Sequence, residues 1–369
     1  MRIGYDAKRA FNNTRGLGNY SRDTIRIMAS HFPEIQFDLF TPKANPDIAF
    51  SLPKNAVKVE PKHPISGTWW RTFGITQEVR KRGLDLYHGL SHELPYGIEN
   101  TGVPSVVTMH DLIFLKHPEY YPFIDRSFYK AKYLRSCKAA THVIAVSRET
   151  QQDLIELAGI PEEKTSVIYQ GCHPQFLKVV PEEQRRALRE KYGLPSSYML
   201  NVAAIEPRKN QLNLLKAIAE GSIDFPLVVA GRPTDYLDEL QQAVKSWHLQ
   251  HKVFFLPDLR FEDLPALYQG ASLFVYPSQA EGFGIPIVEA LQSGVPVIAS
   301  KGGCMEESGG PDSRYVDPDD SEELTTQIQT VLSDEALQQQ MRRKGKDYAN
   351  IFSDDNIADN IILLYNSLI

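Results

Sequence analysis

Short apolar runs alternate with longer amphipathic stretches along almost the whole chain, which is the pattern of parallel strands joined by helices. In the first half the runs predict strands at 2–6, 37–41, 56–60, 85–88, 104–109, 142–146 and 166–169, between helical patterns such as 19–30. A second series follows at 198–203, 227–230, 253–256, 272–276 and 295–299. Between the two lies a charged run, Pro181-Glu-Glu-Gln-Arg-Arg-Ala-Leu-Arg-Glu-Lys191, that ends in Gly, Pro and Ser and reads as a linker. The fold class expected is α/β, with two doubly wound Rossmann-like domains facing a central cleft. The boundaries expected are a first domain over 1–175, a linker over 176–195 and a second domain over 196–353. A helix over about 354–369, rich in Ile and Leu, completes the chain.

Composition changes this picture little. At 369 residues the chain exceeds what one core usually organises, and 42% hydrophobic with 23% charged residues is ordinary for a folded, soluble protein. The net charge of −6 is unevenly spread: residues 1–175 hold 22 Lys/Arg against 18 Asp/Glu, which leaves 18 against 28 for residues 176–369. A uniform nucleic-acid surface is disfavoured, so no nucleic-acid partner is expected. Arg2, Asp6, Lys8 and Arg9 put charge where a secretory signal needs an apolar core, and no run is long enough to span a bilayer. Cys137, Cys172 and Cys304 are odd in number and scattered, as in a reducing compartment, so the location expected is cytoplasmic. No Asp-x-Asp pair or His cluster suited to a metal stands out, so no metal site is expected.

The richest segment is Tyr276-Pro-Ser-Gln-Ala-Glu-Gly-Phe-Gly-Ile-Pro-Ile-Val-Glu-Ala-Leu-Gln-Ser-Gly-Val-Pro-Val-Ile-Ala-Ser300. It reads as strand, loop, helix, turn, strand. Gly282 and Gly284 allow close backbone approach, Pro286 suits a first helical turn and Gly294 a helix exit. A helix starting at Ile285 or Pro286 turns free amides and its positive dipole end toward the loop, which prepares a site for a diphosphate. Glu281 and Glu289 frame that site, and two carboxylates beside an anion site point to a hydroxyl-rich ligand such as a sugar and a ribose. An ordinary strand-to-helix connection with surface glutamates is the plainer reading.

This segment resembles the donor-site signature of retaining glycosyltransferases of family 4, with two glutamates framing a Glu-Gly-Phe-Gly-Ile-Pro core. The resemblance runs over nearly the whole chain and is strongest toward the mannosyltransferase-like branch. It implies the GT-B architecture, in which the C-terminal helix packs back on the first domain. It also implies that Glu281 contacts the transferred sugar, that Glu289 contacts the ribose, that the amides of Phe283, Gly284 and Ile285 meet sugar and diphosphate, and that Gly282 belongs to the same donor site.

Other segments fit the same resemblance. Asn201-Val-Ala-Ala-Ile-Glu-Pro-Arg208-Lys209 puts two cations after the first strand of the second domain, where they would neutralise a departing diphosphate. Lys209 matches the family's lysine; an arginine that some relatives carry near Ala203 is absent. His110, ending Val106-Val-Thr-Met-His-Asp111, would stand beside the donor sugar, with Asp111 orienting its loop. Gly16, Leu17 and Gly18 form a glycine loop implied to face the diphosphate. They do not form a dinucleotide fingerprint, because they come about ten residues after the strand. Leu259 borders the implied nucleobase pocket. Ala145-Val-Ser-Arg-Glu-Thr150 resembles the family's strand and capped helix, whereas Gln170 and His173 depart from its Asn-Gly-Val-Asp pattern.

The activity implied is transfer of a hexose, with retention and without a metal or other cofactor, from a nucleoside-diphosphate sugar to a hydroxyl of a glycan or lipid-linked acceptor. GDP-mannose is the first donor expected and a UDP-sugar the second. His110, Lys209 and Glu281 are the catalytic candidates. A nucleotide-sugar-binding subunit without activity is the alternative. The stretch from Arg126 to Lys138 is basic with interleaved aromatics. It reads as a surface helix that turns Phe128, Tyr129 and Leu134 toward the core, with peripheral contact at the inner face of the membrane as a second reading.

Overall fold

The computed structural model describes residues 1–61, 66–257 and 259–369, and among them thirteen strands form two all-parallel sheets. The chain divides into two compact units: unit 1 comprises Met1–Gly171 with Phe352–Ile369, and unit 2 comprises Cys172–Ile351.

Unit 1 holds β1 (Arg2–Asp6), β2 (Gln36–Phe40), β3 (Ala56–Val59), β4 (Leu86–Gly89), β5 (Ser105–Met109), β6 (His142–Ala145) and β7 (Thr165–Val167). Their order is β3-β2-β1-β4-β5-β6-β7. The chain therefore winds outward from β1 in one direction and then the other, which leaves a crevice outside the carboxyl ends of β1 and β4. Every residue of β4 and β5 is buried, the polar His88, Ser105 and Thr108 included, because helices cover both faces of a parallel sheet.

The helix Asp354–Leu368 belongs to unit 1. Ser353 caps it, two aspartates sit in its first turn, and Ile357, Ala358, Ile361 and Tyr365 form its buried stripe. It packs on the helix Gly16–His31, where Arg26 pairs with Asp354 at 2.5 Å and His31 with Asp355 at 2.9 Å. Its Tyr365 hydroxyl lies 2.6 Å from His88 Nδ1 and 3.2 Å from the Tyr5 hydroxyl. Burial of that ring contributes about 2 kcal/mol.

Unit 2 holds β8 (Met199–Val202), β9 (Leu227–Ala230), β10 (Val253–Leu256), β11 (Leu273–Tyr276), β12 (Val297–Ser300) and β13 (Arg314–Val316), in the order β10-β9-β8-β11-β12-β13. Here the winding reverses between β8 and β11. The core on one side of this sheet runs from Met199 and Ile205 through Leu214, Val229 and Val275 to Ile328 and Met341.

Four expectations change. The stretch 176–195, read as a linker, lies inside unit 2, where the helix Glu182–Tyr192 ends at Gly193 (φ 62°) and Arg185 donates to the Gln269 carbonyl at 3.1 Å. Leu188 is the buried residue of this helix, so its charged exposed surface dominates the sequence pattern. Gly16, Leu17 and Gly18, read as loop, form the first turn of the helix Gly16–His31. A Cβ on Gly18 would stand 1.8 Å from the Asn13 carbonyl oxygen, which explains that glycine by close packing. Phe128, read as core-facing, is 59% exposed. In the helix Phe123–Ala139, Tyr133 stacks on His92 at 4.7 Å and on Tyr129 at 5.4 Å, which turns Phe128 to the other side. Finally, β13 has a single buried residue among Arg, Tyr and Val, too little apolar pattern to predict a strand.

Candidate active site

In unit 2 the reversal point brings two loops together. After β8 the chain makes a short turn, Pro207–Lys209, and Asn210 takes a left-handed conformation (φ 59°) that starts the helix Gln211–Glu220. After β11 comes the loop that carries Glu281. The loops are laced by the backbone bond Gln279 N to Arg208 O at 2.9 Å, by Ser278 Oγ to the same carbonyl at 3.3 Å, and by a hydrogen bond from Arg208 to the Ala280 carbonyl. Sequence neighbours of β8 and β11, about 70 residues apart in the chain, thus share one site because the two strands pair directly.

Glu281 is its centre. Oε1 accepts from Ser278 Oγ at 2.7 Å, from the Tyr276 hydroxyl at 2.8 Å and from Lys209 Nζ, while Oε2 accepts from Arg208 at 3.3 Å. Burial alone would push this carboxyl up, but Lys209 and then Arg208 override it and hold it down to about 2, so Glu281 is a carboxylate at any ordinary pH. Burial, with Glu281 beside it, pushes Tyr276 well above its ordinary value and keeps it a neutral donor. Lys209 is itself buried and also reaches the Tyr276 hydroxyl at 3.3 Å, and Arg208 forks to Glu206 at 2.7 Å.

The helix Ile285–Gln292 starts where the sequence places it. Gly284 precedes it at φ 97°, a conformation that a side chain would strain, and a Cβ there would stand 2.9 Å from Ser308 Oγ. Pro286 lies in the first turn, where its missing N–H costs nothing. Phe283 is buried, so its side chain anchors the loop while the backbone of Gly282–Ile285 lies next to Glu281. One turn into the helix, Glu289 is buried and its Oε2 accepts from the Tyr268 hydroxyl at 2.9 Å. Burial, then Glu289, pushes that tyrosine well up, which keeps it protonated and donating. Leu259 follows the edge strand β10, two strands from β8, and is half-buried. Asp258, beside it in the expected nucleobase loop, lies outside the described residues.

His110 stands in unit 1, at the carboxyl end of β5, and is buried. Its Nε2 lies 2.9 Å from the Leu90 carbonyl, so that nitrogen is the donor and Nδ1 is left as an acceptor. Its backbone N–H donates to His92 Nε2 at 3.0 Å, and the Tyr20 ring meets its edge at 4.5 Å. Burial, helped by His92, holds His110 down to about 3, which makes it a neutral imidazole at neutral pH. Asp111 Oδ1 accepts from Ile113 N at 3.2 Å, which ties down the following turn. Ser147 caps the helix Arg148–Glu156 through Thr150 N, and Thr150 Oγ1 reaches the His110 carbonyl at 3.5 Å.

The sequence reading did not single out His88, His92, Asp6, Arg71 or Glu93. His88 and His92 are buried and held down to about 3 by burial, and His92 has a left-handed backbone at φ 63°. Asp6 ends β1 and takes Arg71 at 2.7 Å, and Arg71 pairs in turn with Glu93. Only the position of Asp6 at a strand end was a signal. The departures at Gln170 and His173 fall at the unit boundary, where His173 caps the turn Pro174–Leu177 and meets the Phe261 ring at 5.4 Å.

Asp317-Pro318-Asp319, an Asp-x-Asp spacing, is a turn in which Asp317 Oδ1 accepts from Asp319 N at 2.9 Å. Among the described residues no group of three or more His, Cys, Asp or Glu could hold a metal ion, and no helix is long and apolar enough to cross a membrane.

Two family descriptions match the chain: Glycosyltransferase Family 4 over residues 14–176 and Glycosyl transferases group 1 over residues 184–348. The chain is 32% identical to O-antigen chain mannosyltransferase B of Escherichia coli over 289 residues, which is 77% of this chain and 74% of that protein. It is 32% identical to O-antigen chain mannosyltransferase RfbU of Salmonella typhimurium over 61% of this chain, and spans 60% of that relative's length. In structure it is similar to Anabaena HepE in complex with UDP, with a TM-score of 0.75 at 22% identity over 100% of this chain and 99% of the other. Its two doubly wound sheets are thus the GT-B fold, and the chain belongs to the family 4 glycosyltransferases.

Proposed function

We propose that this glycosyltransferase transfers a hexose with retention of configuration, without a metal ion, from a nucleoside-diphosphate sugar to a hydroxyl of a glycan or lipid-linked acceptor. GDP-mannose is the first donor proposed and a UDP-sugar the second. The observation that carries the reading is Glu281, a buried carboxylate held ionised by Lys209 and Arg208 directly before the amides of the helix Ile285–Gln292. Mannose is favoured by the names of the two O-antigen mannosyltransferase relatives. The UDP-sugar alternative is favoured by the HepE complexes with UDP and with UDP-glucose.

In this reading the helix amides and Lys209 meet the charge that grows on the leaving diphosphate, which removes the need for a cation. An ammonium has three donors, and Lys209 commits two of them, to Glu281 and Tyr276, so one serves the phosphate. Glu281 accepts from sugar hydroxyls and orients Lys209. Glu289, fixed by Tyr268, accepts from the ribose. The bond from the anomeric carbon to the diphosphate breaks as the bond to the acceptor oxygen forms. The acceptor proton passes to the departing phosphate oxygen on the same face. His110 offers Nδ1 as an acceptor for a sugar hydroxyl.

Contact with the inner face of the membrane is part of this reading. Exposed Trp69, Phe73 and Tyr96 meet in series as tilted rings at 5.9 and 5.4 Å, and Arg135 lies 3.9 Å over Tyr96. On the same helix as Arg135, Ile124 and Phe128 share its side at four- and seven-residue spacing and are exposed. With Arg126 and Lys130 beside them, an anionic bilayer is the matching surface.

The test is incubation of the protein with labelled GDP-mannose, UDP-glucose and other nucleotide sugars, with and without a chelator. Sugar transfer or slow donor hydrolysis, lost in Glu281→Gln, supports the enzyme. Donor binding without either, over a broad acceptor set, supports an inactive binding subunit.

A further inference from the structure

We propose that Lys8 and Arg9, at the carboxyl end of β1, form an anion subsite in unit 1 that binds a phosphate group carried by the acceptor. Naming the acceptor as its source rests on the glycosyltransferase reading above; the binding of phosphate does not.

The case begins with which charges are already matched. Asp6 accepts from Arg71 Nε at 2.8 Å, Arg71 pairs with Glu93 as well, and Glu93 is closed by Lys132 at 2.6 Å. Two buried carboxylates are thus taken up by two cations. Lys8 and Arg9 sit in the next turn, the short helix Lys8–Asn12, at the crevice where the winding of the first sheet reverses. Among the described residues the Arg9 side chain has no hydrogen-bond or ion-pair partner, and its Nε is buried and unmatched. On the loop leaving β4, the neighbouring strand, Ser91 is buried and its Oγ is unmatched too.

A buried guanidinium N–H without an acceptor is costly, and a ligand or an ordered water can supply that acceptor. Asp111 shares the neighbourhood of Arg9, since both act on His110 and Tyr133. His92 and His110, within the field of Arg9, are neutral. Burial holds the Lys8 ammonium below its ordinary value, and Arg71 and Arg9 lower it further, although Glu93 and Asp6 oppose them. The planar donor fork of Arg9 is therefore available, and a phosphate oxygen pair matches that fork. A lipid diphosphate and a soluble sugar phosphate share this chemistry.

The experiment uses the full chain with labelled donor and three acceptors: an alkyl mannoside, the same mannoside on an alkyl diphosphate, and mannose 1-phosphate. In Arg9→Gln the KM for the diphosphate-linked acceptor should rise at least about tenfold with kcat little changed, Arg9→Lys should fall between, and the neutral mannoside should be unaffected. A rise for the diphosphate acceptor alone assigns the phosphate to a lipid carrier, and a rise for mannose 1-phosphate as well assigns it to phosphate in either form. Equal KM values in wild type and Arg9→Gln, or parallel rises for charged and neutral acceptors, overturn the subsite. If no acceptor is glycosylated, the acceptor assignment fails, and titration of methyl phosphate into nucleotide-saturated protein still decides the subsite. Binding that weakens about tenfold in Arg9→Gln supports it, whereas absent or unchanged binding refutes it.

Discussion

Lys209 and Glu281 are joined by a charge-assisted hydrogen bond, and the oxygen that receives it also accepts from Tyr276 and Ser278. The cation expected to meet the diphosphate is thus positioned by the carboxylate expected to meet the sugar. The two residues act as one unit, so their substitutions should not be additive.

Glu281→Gln keeps the size and most hydrogen bonds but removes the charge that orients Lys209. The expected loss in kcat is about 100-fold or more. Lys209→Gln strands a buried carboxylate and should cost about 3–5 kcal/mol of stability. The double variant should regain much of that stability and none of the activity, as read by denaturant titration beside a transfer assay. Stability costs that simply add would show that the pair is not coupled.

Tyr268 holds Glu289 from inside the core of unit 2. Tyr268→Phe should raise the KM for the donor about tenfold while kcat changes little, since ribose contacts are the same in ground and transition states. Steady-state kinetics with varied donor decide this. A fall in kcat with constant KM would place Glu289 at the reacting centre.

Three buried histidines, His88, His92 and His110, are held down to about 3 from an ordinary value of 6.5. Below pH 6.5 the unfolded chain takes up protons that the folded unit 1 refuses, so stability falls as pH falls, at about 1.4 kcal/mol per pH unit for each histidine. Glu281 has the opposite charge type and a lower window: its contribution is full above 4.5 and is lost toward about 2. Hydrogen exchange of β4 and β5 amides between pH 7.5 and 5 should therefore show steadily weaker protection after correction for intrinsic rates. A flat profile would mean that these imidazoles are charged in the fold.

Ile124→Ser with Phe128→Ser removes two exposed apolar side chains that make no core contact of consequence. Flotation with phosphatidylglycerol vesicles should show loss of most binding, while transfer to a soluble acceptor stays as in wild type. Undiminished flotation would move the membrane contact elsewhere or remove it.

Hydrophobic periodicity determined the α/β class and twelve of the strand positions to within a few residues, and Gly284 with Pro286 determined the start of the helix Ile285–Gln292, because these depend on local patterns. It misjudged the helix Glu182–Tyr192, whose single buried residue leaves no apolar stripe to read, and Phe128, whose facing depends on Tyr133 stacking over His92. Residue types together with the family resemblance marked Lys209, Arg208 and Glu281 as a set. Only the tertiary structure decided that all three share one hydrogen-bonded cluster, because it pairs β8 with β11 across about 70 residues of chain. Tertiary burial likewise decided that His110 is neutral and that Arg9 Nε is unmatched among the described residues, since charge state and pairing depend on neighbours that are distant in sequence.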